Sequence, residues 1–236
     1  MICLPRLQGV ADLLTCSQHK PGCPDRQGEE KTDMLDAIPP ANGETTKKPK
    51  TRPTLTREDW LNAAVTVLEK HGIANVKIDR LSKQLKVTRG SFYFHFQGLK
   101  DLLSSMVYEW RTRNCVPFQR LADQEVEDGK VFFDTVVSIW VRENPFSPKL
   151  DLAIRDWSRG APALAREVAA IDDLRIGQLT RAFAAMGYSE DESVVRARIT
   201  YFHQIGYYAL SFKERLEDRL RYQPLYGEVL VGPKAR

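Results

Sequence analysis

Five hydrogen-bonding side chains lie within eight residues of this sequence, interspersed with phenylalanines. The polar members are Thr88, Arg89, Ser91, Tyr93 and His95. Hydroxyl, guanidinium and imidazole groups of this kind donate hydrogen bonds to anionic oxygen atoms. The segment 90–96, GSFYFHF, could be a buried strand or a short helix with two different faces. Gly90 and Ser91 follow Thr88, a good helix N-cap, and the run is not rich in β-branched residues, so a short helix is predicted.

Catalytic and metal-binding patterns are absent from the sequence. It contains no GxSxG, HExxH, P-loop or GxGxxG motif. The four histidines, which lack metal-ligand spacing, are His19, His71, His95 and His203. The four cysteines, which lack CxxC spacing and are interpreted as free thiols, are Cys3, Cys16, Cys23 and Cys115. We therefore predict that the protein is not an enzyme and has no catalytic residue, metal site or cofactor.

Positive charge is concentrated in one part of the chain. Between Lys47 and Lys100 there are twelve Lys and Arg residues against four Asp and Glu residues, a net charge of +8. Because the whole chain carries +4, the rest carries −4. Such an asymmetry indicates a module that faces a polyanion, although a charged, solvated surface is the alternative explanation.

The first 50 residues differ in composition from the rest. Residues 1–50 are rich in Pro, Gly, Lys, Glu and Thr without a sustained period, which predicts a disordered basic and polar tail. Met34 lies near the end of this tail, and we hypothesise that translation begins there, so that residues 1–33 are not part of the natural protein. The basic segment 47–53 either follows DNA phosphates or serves as a solubilising tail.

The remaining sequence predicts an all-α protein. At 236 residues, 42% of them hydrophobic, the chain is long enough to bury a core. No apolar run approaches the roughly 20 residues of a membrane span, so a soluble, cytoplasmic protein is predicted. Beyond Gly98 the predicted helices are 99–113, 116–127, 130–142, 149–158, 163–186 and 191–221.

Three short helices precede that region. The first begins after the N-cap Thr56 with acidic residues in its first turn, and Gly72 ends it. The second spans 78–85 and the third spans 89–96. Two short helices joined by a turn of three or four residues form a helix-turn-helix, in which the second helix lies in the DNA major groove.

The segment 59–103 resembles the DNA-binding domain of TetR/AcrR-type transcriptional repressors. It reads DWLNAAVTVLEKHGIANVKIDRLSKQLKVTRGSFYFHFQGLKDLL. The matching positions are Ala63, Ala64, Gly72, Ile78, Leu81, Val87 to Tyr93, His95, Phe96 and Leu102. The motifs cover about a fifth of the chain, and the helical remainder is similar to the family in length and class.

The resemblance implies which residues bind DNA. Phe92 and Phe96 would be core residues that pack on the first two helices, while the polar side chains between them face the groove. The implied DNA-binding residues are Thr56, Arg57, Lys77, Thr88, Arg89, Gly90, Ser91, Tyr93, His95 and Lys100. The sequence departs from the family pattern at three positions. Lys77 replaces the usual Ser or Thr cap, Lys86 replaces the usual turn glycine, and Leu99 replaces a basic residue.

The resemblance also implies the organisation of the whole chain. A helix-turn-helix domain at 51–98 would be followed by an effector-binding and dimerisation domain at 99–236, and the homodimer would bind a palindromic operator in double-stranded DNA. The candidate pocket residues for an unknown small-molecule effector are Trp110, Phe133, Trp140, Phe146 and Trp157. The candidate dimer-interface residues are Tyr201, Phe202, Ile205, Tyr208 and Ala209. A repressor released by its effector is predicted, and a helical dimer that lacks effector sensing and acts through a protein partner is the alternative.

Overall fold

The computed structural model describes residues 55–232. This part of the chain contains ten α-helices and two short helical turns. The α-helices are α1 (Arg57–His71), α2 (Ile78–Leu85), α3 (Arg89–Tyr93), α4 (Leu99–Trp110), α5 (Val116–Gln119), α6 (Gly129–Arg142), α7 (Pro148–Ser158), α8 (Pro162–Ala185), α9 (Glu190–Ala209) and α10 (Leu216–Val231). A 3₁₀ turn spans Ile73–Asn75 and a π-helical turn spans Arg111–Cys115. Because residues 55–232 contain no strand, the all-α prediction is confirmed for this part of the chain.

Helix α1 begins and ends where the sequence predicts. The Thr56 hydroxyl accepts a hydrogen bond from the Asp59 amide, and the Asp59 carboxylate accepts one from the Thr56 amide, which completes a capping box. At the other end the Gly72 N–H donates to the Leu68 carbonyl at 2.9 Å, with Gly72 at a φ of 75°. Trp60, the first apolar residue of the helix, is fully buried. The helix therefore presents one apolar face, which packs against α2, α4 and α7.

A buried ionic cluster connects α4 to the helices behind it. Arg175 of α8 and Asp151 of α7 form an ion pair at 3.2 Å, and their side chains are 0% and 3% exposed. Arg175 also donates to the Asn114 carbonyl at 2.8 Å, and the Trp110 indole donates to Asp151 at 2.9 Å. Because Asn114 lies in the π-helical turn, the cluster fixes the irregular end of α4 against α7 and α8.

The last two helices differ from the sequence prediction. One continuous helix over 191–221 was expected, but the chain leaves the helix after Ala209 and re-enters it at Leu216. Ser211 adopts a left-handed φ of 55° in this break, and α10 packs against α6 and α9. The residues between the two helices include neither Gly nor Pro, so the sequence carries no stop signal there. Pro224 lies inside α10 and does not end it.

Two other helices are shorter than the sequence predicts. The third helix ends at Tyr93, not at Phe96, and the helix expected over 116–127 ends at Gln119. Cys115 is a buried free cysteine, as interpreted from the sequence, and burial raises the pKa of its thiol to about 12. The predicted tail at 1–50, with its three cysteines, lies outside the described residues. Between residues 55 and 232 no helix is both long enough and apolar enough to span a bilayer.

Candidate nucleic-acid interface

The turn between α2 and α3 sets the geometry of the helix-turn-helix. Lys86 occupies a left-handed conformation, with φ 57° and ψ 41°. Its N–H donates to the Lys83 carbonyl at 3.2 Å, and the next N–H, from Val87, donates to the Ser82 carbonyl at 3.0 Å. These two bonds form a Schellman motif, which ends α2 sharply. Lys86 is thus a non-glycine residue in the position that glycine usually occupies, and its side chain is exposed.

Helix α3 has two faces, as the sequence predicts. Phe92 and Phe96 are 0% and 2% exposed and stack at a centroid distance of 5.3 Å. Phe92 also meets the Trp60 ring edge to face at 5.3 Å, which holds α3 against α1. On the outer side Tyr93 is 54% exposed. The polar residues of α3 are therefore presented outward by an aromatic core that fixes their orientation.

The predicted DNA-binding residues around α3 lie on this outer side or at its edge. Thr88, Arg89 and Gly90 are exposed, and Ser91 and His95 are half-buried. Thr88 occupies the N-cap position without making a side-chain capping bond, and Lys77 does the same at α2. Lys77 and Lys100 are also exposed. All ten of the predicted residues, including Thr56 and Arg57, thus have at least part of their surface accessible.

Arg89 forms an ion pair within the helix-turn-helix. Its Nε lies 3.0 Å from the Asp79 carboxylate of α2, and both side chains are about 60% exposed. An exposed pair of this kind contributes between zero and about 1 kcal/mol. The contact therefore orients the guanidinium near the start of α3 without withdrawing it from solvent.

Arg57 is engaged inside the protein more than the sequence suggests. Its guanidinium donates to the Asp101 carboxylate at 3.0 Å, to the Ser105 hydroxyl at 2.9 Å and to the His95 carbonyl at 3.3 Å. It also lies over the Phe96 ring, 4.3 Å from the centroid. Arg57 thus connects α1 to His95, two residues after α3, and to α4. Thr56 is similarly occupied by the capping box described above.

We expect Arg57→Ala to lower the free energy of unfolding by about 1–2 kcal/mol, because several charge-assisted hydrogen bonds are lost at a half-exposed site. Urea denaturation measures this loss. Lys83→Ala is the control, since Lys83 is exposed and has no ion pair within the described residues. An Arg57 variant as stable as the control would contradict the expectation. If Arg57→Ala also reduced the slope of log K for DNA binding against log salt concentration by about 0.9, Arg57 would contact one phosphate in addition to its role in the fold.

Phe94 is a surface residue that sequence reasoning did not single out. Its ring is 88% exposed, directly after α3, and no other large hydrophobic side chain in residues 55–232 is more exposed. An exposed phenyl ring next to polar groups is a candidate for apolar contact with a sugar or a thymine methyl group. The signal was present in the sequence, because Phe94 lies out of phase with Phe92 and Phe96 on a helix.

Two of the five predicted effector-pocket residues line one cavity, and the other three lie elsewhere. Phe133 and Trp140 line a cavity between α6, α9 and α10. Trp110 instead donates to Asp151 in the buried ionic cluster, and Phe146 packs against Phe118 and Tyr208. Trp157 is half-buried against the core. The cavity has a volume of about 60 Å³ and is partly open to solvent.

Helix α9 has an inner and an outer apolar face, which the sequence pattern did not separate. Tyr201 and Tyr208 are 3% and 8% exposed, so these predicted interface residues are already buried within the single chain. Burial raises the pKa of the Tyr201 hydroxyl, which hydrogen-bonds to Asp172. Of the other predicted interface residues, Phe202 and Ala209 are exposed and Ile205 is half-buried. Val195 and Ile199 of α9 are also exposed apolar residues. Ile199 lies four residues after Val195 and three residues before Phe202.

The sequence profile described as "Bacterial regulatory proteins, tetR family" matches residues 61–106. This span contains α2, α3 and the turn between them, together with most of α1 and α4. It ends before the cavity and before the exposed face of α9.

Three solved structures are similar to the chain. They are a crystal structure of BioQ with its natural double-stranded DNA operator (22% identity, TM-score 0.37), one of BioQ (23%, 0.34) and one of Mycobacterium smegmatis BioQ (25%, 0.35). Each covers 77% of this chain and 98% or 99% of the other.

Proposed function

Because this chain belongs to the tetR family of bacterial regulatory proteins, we propose that it acts as a homodimeric, sequence-specific repressor that a small-molecule effector releases from a palindromic operator. The observation that carries the proposal is the outer side of α3, where Tyr93 is 54% exposed while Phe92 behind it is fully buried. A rigidly held helix with an exposed polar face is what major-groove recognition requires. In this proposal residues 51–98 form the DNA-binding domain and residues 99–236 form the effector-binding and dimerisation domain.

The proposed contacts fall into two groups. Ser91 and Tyr93, at the middle and end of α3, would read base edges or adjacent phosphates, and Lys100 near the start of α4 would neutralise a phosphate. Thr88, Arg89 and His95 complete the surface. Phosphate contacts fix the protein on the duplex, whereas contacts with base edges determine sequence preference.

The proposed dimer uses the outer faces of α8 and α9. The outward positions of α9, spaced alternately by four and three residues, are Val195, Ile199, Phe202, Gly206 and Ala209. Small residues recur every seven positions on α8, at Ala163, Ala170, Gly177 and Ala184. A Cβ added at Gly177 or Gly206 would meet nothing within 4 Å, so both glycines lie on open surface. Heptad spacing with small residues supports a close-packed four-helix interface between two copies.

The position of the cavity supports the proposed control by an effector. Phe133 and Trp140 of α6 and Tyr208 of α9 line it, and α9 also carries the proposed dimer face. A ligand there would favour one arrangement of α9 and thereby change the separation of the two recognition helices. Release requires that the effector bind more tightly to the arrangement that no longer matches successive major grooves, about 34 to 36 Å or a multiple apart.

The test is fluorescence anisotropy with the DNA upstream of the protein's own gene, against a scrambled duplex of equal length, across a salt series. We expect preference for the upstream duplex, saturation at two protomers or a multiple of two per site, and a steep decrease of affinity with salt. Equal, weak binding to both duplexes across the salt series, together with no preferred sequence in a selection from random duplexes, would overturn the proposal.

Single substitutions distinguish the two groups of contacts. Ser91→Ala and Tyr93→Phe should weaken operator binding by about 1–3 kcal/mol and change nonspecific binding little, because they remove hydrogen bonds that depend on sequence. Lys100→Ala should weaken both kinds of binding and reduce the salt slope by about 0.9. The measurement is anisotropy on operator and scrambled duplexes. Parallel losses on both duplexes for all three variants would contradict this sorting.

A further inference from the structure

Phe94 presents a phenyl ring to solvent at the end of α3. Its side chain is 88% exposed. Phe92 and Phe96, the phenylalanines on either side of it in the sequence, are buried and stack on each other. Within residues 55–232 the Phe94 ring packs against no other aromatic ring. Because removal of a phenyl ring from water is favourable, an apolar group that contacts this ring would be bound favourably.

The backbone gives the Phe94 side chain a defined direction. Phe94 has φ −73° and ψ −20°, which continues the helical conformation of α3. The next two N–H groups, of His95 and Phe96, both donate to the Phe92 carbonyl at 3.0 Å. Since successive residues of a helix are rotated by about 100°, Phe94 points about 200° away from the buried Phe92. The ring therefore projects almost directly away from the core, as its exposure also indicates.

Gly90 leaves open space on the same side of α3. It precedes Phe94 by four residues, so the two positions lie above one another on the helix surface. A Cβ added to Gly90 would contact only the Thr88 hydroxyl, at 3.7 Å, outside its own helix backbone. The outward side of α3 thus consists of bare backbone at Gly90, followed by one apolar ring. A partner can approach this backbone closely and contact the ring at the same time.

The neighbours of Phe94 point to either side of the ring. Tyr93 and His95 are each rotated by about 100° from Phe94, in opposite directions. When a helix lies in the major groove, its outward side faces the base edges and its two flanks face the phosphate backbones. Phe94 would therefore meet the base edges, whereas Tyr93 and His95 would point toward the sides of the groove.

The base edges in the major groove offer one apolar group to such a ring. This group is the C5-methyl of thymine, and the other distinguishing groups are hydrogen-bond donors and acceptors. A phenyl ring neither donates nor accepts a conventional hydrogen bond, so it gains most from thymine. Contact with a sugar would require the ring to point toward the side of the groove, where Tyr93 and His95 point instead.

We propose that Phe94 determines part of the operator sequence by packing against the methyl group of one thymine in each half-site. This inference rests on the proposed function, because it places α3 in the major groove of DNA. It adds a specificity-determining residue that forms no hydrogen bond to a base. Because the proposed homodimer is two-fold symmetric, the two thymines occupy equivalent positions of a palindromic site.

Replacement of thymine by uracil tests the contact, because it removes the methyl group and leaves the base pair unchanged. The probe is the duplex that the full-length protein enriches most strongly from random DNA. Each symmetry-related pair of thymines is replaced by uracil in turn, and anisotropy measures affinity at one salt concentration. We expect one pair to matter most, with a loss of about fourfold for each methyl group and about fifteenfold for the pair.

Substitutions of Phe94 assign that methyl effect to its ring. Phe94→Ala should bind the thymine duplex about fifteenfold more weakly and should respond less than about twofold to uracil at the sensitive pair. Phe94→Leu retains an apolar side chain and should remain sensitive to uracil. Tyr108→Ala is the matched control, because Tyr108 is an aromatic residue of α4 that is 67% exposed and lies outside α3. It should respond to uracil like the wild type, and all three variants should have the Tm of the wild type within a few degrees.

This inference and the proposed function fail in different ways. Sequence-specific binding in which no thymine pair responds to uracil would overturn the role of Phe94 and leave the proposed function standing. The same conclusion would follow if Phe94→Ala lost as much affinity on the uracil duplex as the wild type does, since another group would then contact the methyl. If the selection enriched no sequence at all, both the role of Phe94 and the proposed function would be overturned.

Discussion

Arg175→Met should lower the free energy of unfolding by about 3–5 kcal/mol, one of the two largest effects we expect. The substitution leaves Asp151 buried without the guanidinium that pairs with it at 3.2 Å. It also removes the hydrogen bond to the Asn114 carbonyl at the π-helical turn. Urea or thermal denaturation measures the loss. The same change at an exposed ion pair, Arg159→Met beside Asp156, should cost less than about 1 kcal/mol.

The pH dependence of this deficit identifies its cause. In the wild type burial would raise the pKa of Asp151, but Arg175 and its hydrogen bonds outweigh burial and hold that pKa below its usual value. The resulting stability is present above the unfolded pKa of about 3.9 and is lost as the pH falls through the lowered folded pKa. Without Arg175, burial should raise the folded pKa, although Arg155 remains 3.8 Å away. The deficit of Arg175→Met should therefore be largest near neutral pH and shrink toward pH 4, and a deficit that does not vary with pH would contradict this account.

Phe202→Glu should convert the proposed homodimer to monomers and weaken binding to the proposed operator by at least about 100-fold. In the proposed two-fold interface the substitution would bring two carboxylates into an apolar contact, and loss of the dimer removes the gain in affinity from two linked half-sites. Phe202 is 61% exposed in the single chain, so the fold itself should be little affected. Sedimentation velocity measures the oligomeric state and anisotropy measures operator affinity.

Val131→Glu is the matched control for this experiment. Val131 is also 61% exposed, but it lies in the first turn of α6, outside the proposed interface, and Glu is favourable near a helix N-terminus. It should remain dimeric and bind the operator like the wild type. If both variants behave alike, whether both are dimers or both are monomers, the outer face of α9 is not the interface.

Local signals made the helix-turn-helix predictable from the sequence. Thr56 and Gly72 cap α1. Phe92 and Phe96 have the four-residue spacing of a helix, although α3 itself ends at Tyr93. These features depend on residues within a few positions of each other. The accessible polar side chains on and next to α3 are therefore predictable from the sequence, whereas the exposed Phe94 was not singled out.

Long-range packing made the second half of the chain less predictable. The break at Ser211 has no local stop signal, and it is stabilised by the return of α10 onto α6 and α9. The cavity exists only because of that return, so its α10 wall, including Arg219 and Gly227, could not be foreseen. Tyr201 was predicted to lie in an interface because the two apolar faces of α9 form one broad apolar stripe in the sequence. Such a stripe does not distinguish the inner face from the outer face.

At position 86 the left-handed backbone conformation favours glycine, whereas the proposed contact with DNA favours the positive charge of Lys86. A glycine there would relieve a conformational cost of about 1–2 kcal/mol, and a redesign for heat tolerance would choose it. The same exchange would remove a positive charge from the corner between α2 and α3, next to the surface proposed to face DNA. A gain in thermostability at this corner would then weaken the proposed electrostatic attraction between the protein and DNA.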